Sequence, residues 1–219
     1  MLISFEGLDG SGKTTQARLL ADRLRHDGHR VAYLPDLLTL DTDATGRMLV
    51  DLFTSSGDPF LRHADVTTDT FLAAAMRAHL VAAHLRPALA DHDIVIEDRG
   101  AHTMYSYSLA SILRYHSMDT DVAISWLRSF SALTGPDADV ILWLRSPIAE
   151  AIARWSARDN LTPTGEQRAF LAHVDAAYHE LARRDPTMIP IDTTMLDPQE
   201  IHRTIYARVL ECLTQPVQV

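Results

Sequence analysis

Gly7-Leu8-Asp9-Gly10-Ser11-Gly12-Lys13-Thr14-Thr15 follows a short, mostly apolar run, residues 2–5, with only Glu6 between, and its last three residues open an amphipathic one, residues 13–25. The stretch fits G-x-x-x-x-G-K-[ST] and stands between a strand and a helix, where that motif works. Gly7, Gly10 and Gly12 let the backbone close around phosphate oxygens with its N–H groups pointing inward. Asp9, Ser11 and Thr15 complete the loop, and the helix start behind it offers the positive end of its dipole. Lys13 is placed for the β- and γ-phosphates, and the Thr14 hydroxyl for Mg²⁺. The chain is therefore expected to bind a nucleoside triphosphate.

Outward from the loop, short apolar runs alternate with longer amphipathic ones. Residues 2–5, 31–34, 94–97, 140–144 and 188–191 read as strands. Four of the five are almost continuously apolar, as parallel strands covered on both faces are. Helices are expected at 13–25, 64–90 (interrupted near Pro87), 101–115, 119–133, 147–157, 165–184 and 198–213. The expected fold class is α/β, a P-loop NTPase three-layer sandwich with a five-stranded parallel sheet. No Gly-, Ser- or Pro-rich linker marks a second domain, so a single P-loop domain is expected to span 1–214, with a frayed tail at 215–219.

Composition narrows the classes. With 20 Lys+Arg against 29 Asp+Glu the net charge is −9, which argues against a nucleic acid polymer as partner. One cysteine, Cys212, excludes an intrachain disulfide framework and suits a reducing, cytoplasmic setting. Residues 1–7 carry no leader pattern, and no apolar run is long enough for a membrane span. The 11 histidines are scattered, and the pairs His79/His84 and His173/His179 miss the spacing of a metal site on one helix face. An Asn-Lys-x-Asp run, which guanine-specific binders carry after a strand, does not occur, and a motor needs more chain than this.

Several segments taken in order resemble one family. Phe5-Glu6-Gly7-Leu8-Asp9-Gly10-Ser11-Gly12-Lys13-Thr14-Thr15-Gln16 is similar to the loop of thymidylate kinases, with its internal Asp. Arg86-Pro87-Ala88-Leu89, then Ile94-Val95-Ile96-Glu97-Asp98-Arg99, resembles that family's long helix and the Asp-Arg closing its third strand. Pro136-Asp137 ahead of residues 140–144, and Ile191-Asp192 after Phe170, Tyr178, Leu181 and Ala182, continue the match. The resemblance implies a nucleoside monophosphate kinase using ATP and Mg²⁺, with a small-molecule nucleotide acceptor and commonly a homodimer. It also implies residue roles. Asp9 faces the acceptor and Arg99 grips its phosphate. Asp98 orients Arg99 or serves the magnesium through water. Arg47, Arg77, Thr103, Met104 and Tyr107 belong to the acceptor pocket. The loop itself holds no Arg, so the charge-neutralising arginine is expected from a helical lid at about 154–166: Arg158 first, Arg154 second.

The acceptor pocket departs from the family pattern. The position that stacks on thymine is Ala73, and Phe71, two residues away, points roughly 200° around the helix. Gly100 stands where Tyr, Phe or His is usual, and Met104 where a polar residue is. Leu34-Pro35-Asp36-Leu37-Leu38-Thr39 lacks the basic residue of that segment, which returns only in Thr45-Gly46-Arg47. Stacking is worth about 1–3 kcal/mol per base. Either the acceptor is a modified or non-thymine nucleotide, or Tyr105 or Tyr107 fills the gap and thymidylate binds. A nucleoside or small-metabolite kinase, or a nucleotide-binding protein without catalysis, remains the alternative.

Overall fold

Five strands, β1 (Leu2–Glu6), β2 (Val31–Leu34), β3 (Ile94–Asp98), β4 (Val140–Arg145) and β5 (Met188–Asp192), form one parallel sheet in the order β2-β3-β1-β4-β5. The computed structural model describes residues 1–214 apart from 41, 61, 63, 130 and 195–196, so the tail 215–219 and Phe130 lie outside the described residues. Side-chain alternation splits the strands between two cores. Ile3 and Phe5, Ile94 and Ile96, and Val140, Leu142 and Leu144 pack against α1 (Lys13–His26) and α10 (Pro198–Thr214). On the other face Ile141 and Trp143 pack with α5 (Ala101–Tyr115), α8 (Ile148–Asp159) and α9 (Gly165–Ala182), while Leu2 and Val95 meet α3 (Val66–Leu80). The three-layer α/β expectation is met, and the carboxyl ends of β1, β2 and β3 all point to the phosphate loop's side of the sheet.

Three connections differ from the reading of the sequence. The expected helix at 64–90 is α3, then a π-helical segment at Val81–Leu85, then α4 (Arg86–Asp91) with Pro87 in its first turn. Pro87 has no N–H and its ring crowds the carbonyl four residues back, so the ladder slips: Arg86 N–H reaches Val81 O instead. The helix expected at 119–133 is split into α6 (Thr120–Arg128), capped by Asp119, and α7 (Ser131–Thr134). Residues 36–51, where the sequence reading placed no helix, run into the largely exposed α2 (Ala44–Thr54). The signal for it was Asp43, whose carboxylate caps the helix by accepting Gly46 N–H at 2.8 Å.

The loop is keyed to the lid's base. Gly10 has φ +81°, and a Cβ there would stand 2.1 Å from Ala151 O in α8. Gly10→Ala is expected to cost about 3 kcal/mol, left-handed strain plus overpacking, and to slow ATP turnover by prising α8 off the loop. Urea unfolding and steady-state kinetics measure both. Among the described residues no helix is long and apolar enough to cross a membrane.

Candidate active site

β1 ends at Glu6 and the chain turns through Gly7 (φ +133°), Gly10 and Gly12 (φ +97°) into α1. Lys13 is buried beneath this turn and donates to Gly7 O at 2.9 Å and Leu8 O at 2.7 Å. Burial, with Arg99 nearby, lowers its ammonium to about 8. Thr14, one residue on and exposed to the cleft, donates to Asp98 Oδ2 at 2.5 Å. The Tyr33 hydroxyl reaches the same oxygen at 3.4 Å, and Asp98 Oδ1 is buried with no hydrogen-bond partner among the described residues. A hydroxyl beside a carboxylate with an orphaned oxygen is a hard-oxygen donor set and fits Mg²⁺. Among the described residues no cluster of three or more His, Cys, Asp or Glu is placed to hold a metal by protein ligands alone. Magnesium in phosphoryl transfer draws much of its shell from phosphate and water, so such a cluster is not required.

Arg99 follows Asp98 directly and turns back in the left-handed region, φ +71°, its N–H still bonded to Phe5 O. Such a backbone costs of order 1–2 kcal/mol and is held here by its partners. The guanidinium pairs with Asp9 Oδ1 and, through Nε, with Asp36 Oδ2 at 2.8 Å. Tyr107 on α5 donates to Asp9 Oδ2 at 3.2 Å. Burial alone would raise the Asp9 carboxyl, but Arg99 and Lys13 beside it and the Tyr107 hydroxyl hold it below the usual range. Burial and Asp9 push the Tyr107 phenol well up, so Tyr107 stays a donor at neutral pH.

These groups border one cavity of about 980 Å³. The structure brings to it Asp9, Gly10, Gly12, Lys13, Thr14, Thr15, Ala73, Arg77, Asp98, Arg99, Thr103, Met104 and Tyr107, together with Arg154 and Arg158. Gly7 and Ser11 shape the turn from behind; Ser11 is buried, and a Cβ on Gly7 would meet Leu144 O at 2.4 Å. Arg47 is not brought in. It is exposed on α2 and donates back to Thr42 O.

Arg158 is 58% exposed and paired with Asp159 at 2.6 Å, and its charge is felt by Asp9. Arg154 is tied to Glu150 at 3.0 Å and Thr193 O at 3.3 Å. The segment expected as a helical lid is helix only at its ends. Asn160 leaves α8 with φ +50°, and α9 begins after a capping box of Thr164 and Gln167.

Ala73 leaves its side of the cavity without an aromatic, and Phe71 faces away, 51% exposed and edge-on to Trp126 at 6.0 Å. Tyr105 is buried in the core. The aromatic wall is instead Tyr107 with Phe60, Trp155 and Phe170, Phe60 lying 5.2–6.5 Å from the other three ring centroids. Phe60 sits outside regular structure, so no periodicity pointed to it. Glu6 was also missed as a supporting group. Its carboxylate, fully buried, accepts Ser4 Oγ, Gly100 N–H, Thr103 Oγ1 and Tyr178 OH at 2.5–3.2 Å. An acid inside an apolar strand was its signal.

The family model described as thymidylate kinase matches residues 5–205. The chain belongs to the thymidylate kinase family. It is 34% identical to the thymidylate kinase of a Synechococcus species, over 95% of this chain and 94% of the relative. It is 30% identical to a probable thymidylate kinase of Halorubrum lacusprofundi over 98% of both, and 27% identical to the thymidylate kinase of Trichodesmium erythraeum over 97% and 96%. Membership makes the chain a phosphotransferase that uses ATP on a nucleotide substrate.

Proposed function

We propose that this chain transfers the γ-phosphoryl group of ATP, with Mg²⁺, to the phosphate of thymidylate. The observation that carries the reading is the adjacency of Asp98 and Arg99. One β3 residue holds the Thr14 hydroxyl on the donor side, and the next presents a guanidinium on the acceptor side of the same cavity. Two phosphates gripped from these neighbouring positions are brought together, which is most of what phosphoryl transfer demands. The loop amides and Lys13 hold the donor phosphates, Lys13 exchanging Gly7 O and Leu8 O for phosphate oxygens. Arg99 takes the acceptor phosphate in place of carboxylate partners, while Asp9, held by Tyr107, orients the acceptor's sugar. Magnesium, at Thr14 and Asp98, neutralises charge on the donor phosphates when bound. Arg158, from the lid at about 154–166, reaches the developing charge between them, and Arg154 is second. Residues 1–214 act as one kinase domain. Exposed apolar Phe71 on α3 and Val122 on α6 support a homodimer through those helices.

A second reading, a bulkier or modified base, is favoured by one observation, the unfilled wall at Ala73. A panel of nucleoside monophosphates and free nucleosides with ATP and Mg²⁺, followed by ADP release, tests both. Thymidylate is expected to give the highest kcat/KM. A modified base preferred over it establishes the second reading, and ATP binding without acceptor-dependent ADP release overturns both.

A further inference from the structure

Beneath Ala73, one turn along α3, Arg77 borders the cavity and is bound from below by Glu97 of β3. Nη1 reaches Glu97 Oε2 at 2.6 Å and Nη2 reaches Oε1 at 3.2 Å, with both side chains buried. The fork spends two of the five guanidinium N–H donors, and Nε–H has no partner among the described residues. A buried ion pair is an expensive way to fix a side chain, so its place needs a reason.

The surroundings are built for that carboxylate. Ser4 lies beside Glu97 in the sheet register. Gly100, where the related pattern has a bulky residue, could not carry even a Cβ, which would come within 2.2 Å of Glu97 Oε1 and 2.3 Å of Ser4 Oγ. Ala73 and Gly100 are thus linked departures. One bares the wall above Arg77 and the other makes room for the acid that holds it. With no aromatic at Ala73 to wedge it, Arg77 without Glu97 would be a long, free cation beside a cavity of about 980 Å³.

We propose that Glu97 is a positioning residue for acceptor binding: its forked ion pair holds the Arg77 guanidinium in the pocket floor, where the remaining donors meet the acceptor base. This rests on the acceptor reading above. Glu97 touches no substrate and acts only through Arg77, so the two residues form one unit in a mutant cycle.

The cycle consists of Glu97→Gln, Arg77→Met and the double variant Arg77→Met/Glu97→Met, assayed with ATP and thymidylate. Each single variant is expected to raise the thymidylate KM about tenfold, with kcat and the ATP KM within about twofold. The double variant is expected to match Arg77→Met alone, and as an apolar pair it buries no unpaired charge, so it folds even where Glu97→Gln does not. A wild-type thymidylate KM in Glu97→Gln or Arg77→Met, or a double variant as impaired as the two single effects multiplied, overturns the proposal. An unsubstituted protein that phosphorylates no monophosphate would instead show that the acceptor reading has failed, and this inference with it.

Discussion

Lys13→Met is expected to lower kcat about 10³-fold, while the ligand-free variant unfolds at or above the wild-type temperature. The loss follows from removing the cation that the proposed function sets against the donor phosphates, at the scale of a deleted charge-stabilising donor, about 4 kcal/mol. The stability result has the opposite sign because the cation is a burden until phosphate arrives. Its ammonium is buried and lowered to about 8, against about 10.4 in an unfolded chain. Between those values the unfolded state binds more protons than the folded one, so stability rises with pH across that window, and Lys13→Met lacks the rise. Nucleotide affinity runs the other way. Binding wants the charged amine, so the ATP dissociation constant climbs above pH 8, approaching tenfold per pH unit, and is flat in the variant. Calorimetric titration between pH 7 and 9.5 checks it; a wild-type affinity independent of pH there would contradict the account.

Arg99→Met is expected to reduce kcat/KM for the acceptor at least about 10²-fold and to destabilise the fold by about 3 kcal/mol. Arg99 is buried between Asp9 and Asp36, and its removal leaves two carboxylates without the cation that both hold. Arg99→Lys restores charge but not the fork, so it recovers stability more than activity. The pH dependence identifies the cause. In the intact protein Asp9 sits below its ordinary range, so it contributes stability above about pH 4 that is lost as pH falls through the lowered value. Without Arg99, burial dominates and lifts the carboxyl, and acidification then relieves the variant by protonating Asp9. The Tm gap between wild type and Arg99→Met is therefore expected to narrow from pH 8 to pH 4. A gap that widens would place the stabilising charge elsewhere.

Much of the active site was legible because it is local. Gly7 to Thr15 carry a motif that reads within nine residues, while Asp98-Arg99, closing a strand on the edge where such sheets take ligands, was picked out by the resemblance to thymidylate kinases. The π-helical slip before Pro87 was half legible. A proline announces that a ladder must yield, but whether it breaks, kinks or widens depends on what packs against it. Arg47 was misplaced because a residue counted along an irregular segment has no defined direction until α2 forms, and that helix turned it outward. Phe60 was missed for the same reason, in a stretch with no period to read.

What the order of residues determined by itself is the glycine-rich turn into α1, the α/β alternation and the adjacency of Asp98 and Arg99 at the end of β3. Each follows from backbone geometry within a few residues and from the direction in which parallel strands end. What only the tertiary structure decided is how the charges are shared: Arg99 between Asp9 and Asp36, Thr14 with Asp98, Arg77 on Glu97, and Glu6 beneath Thr103 and Tyr178. Those partners lie far apart in sequence, and a side chain's charge state depends on which buried neighbours the folded sheet sets within about 3 Å of it.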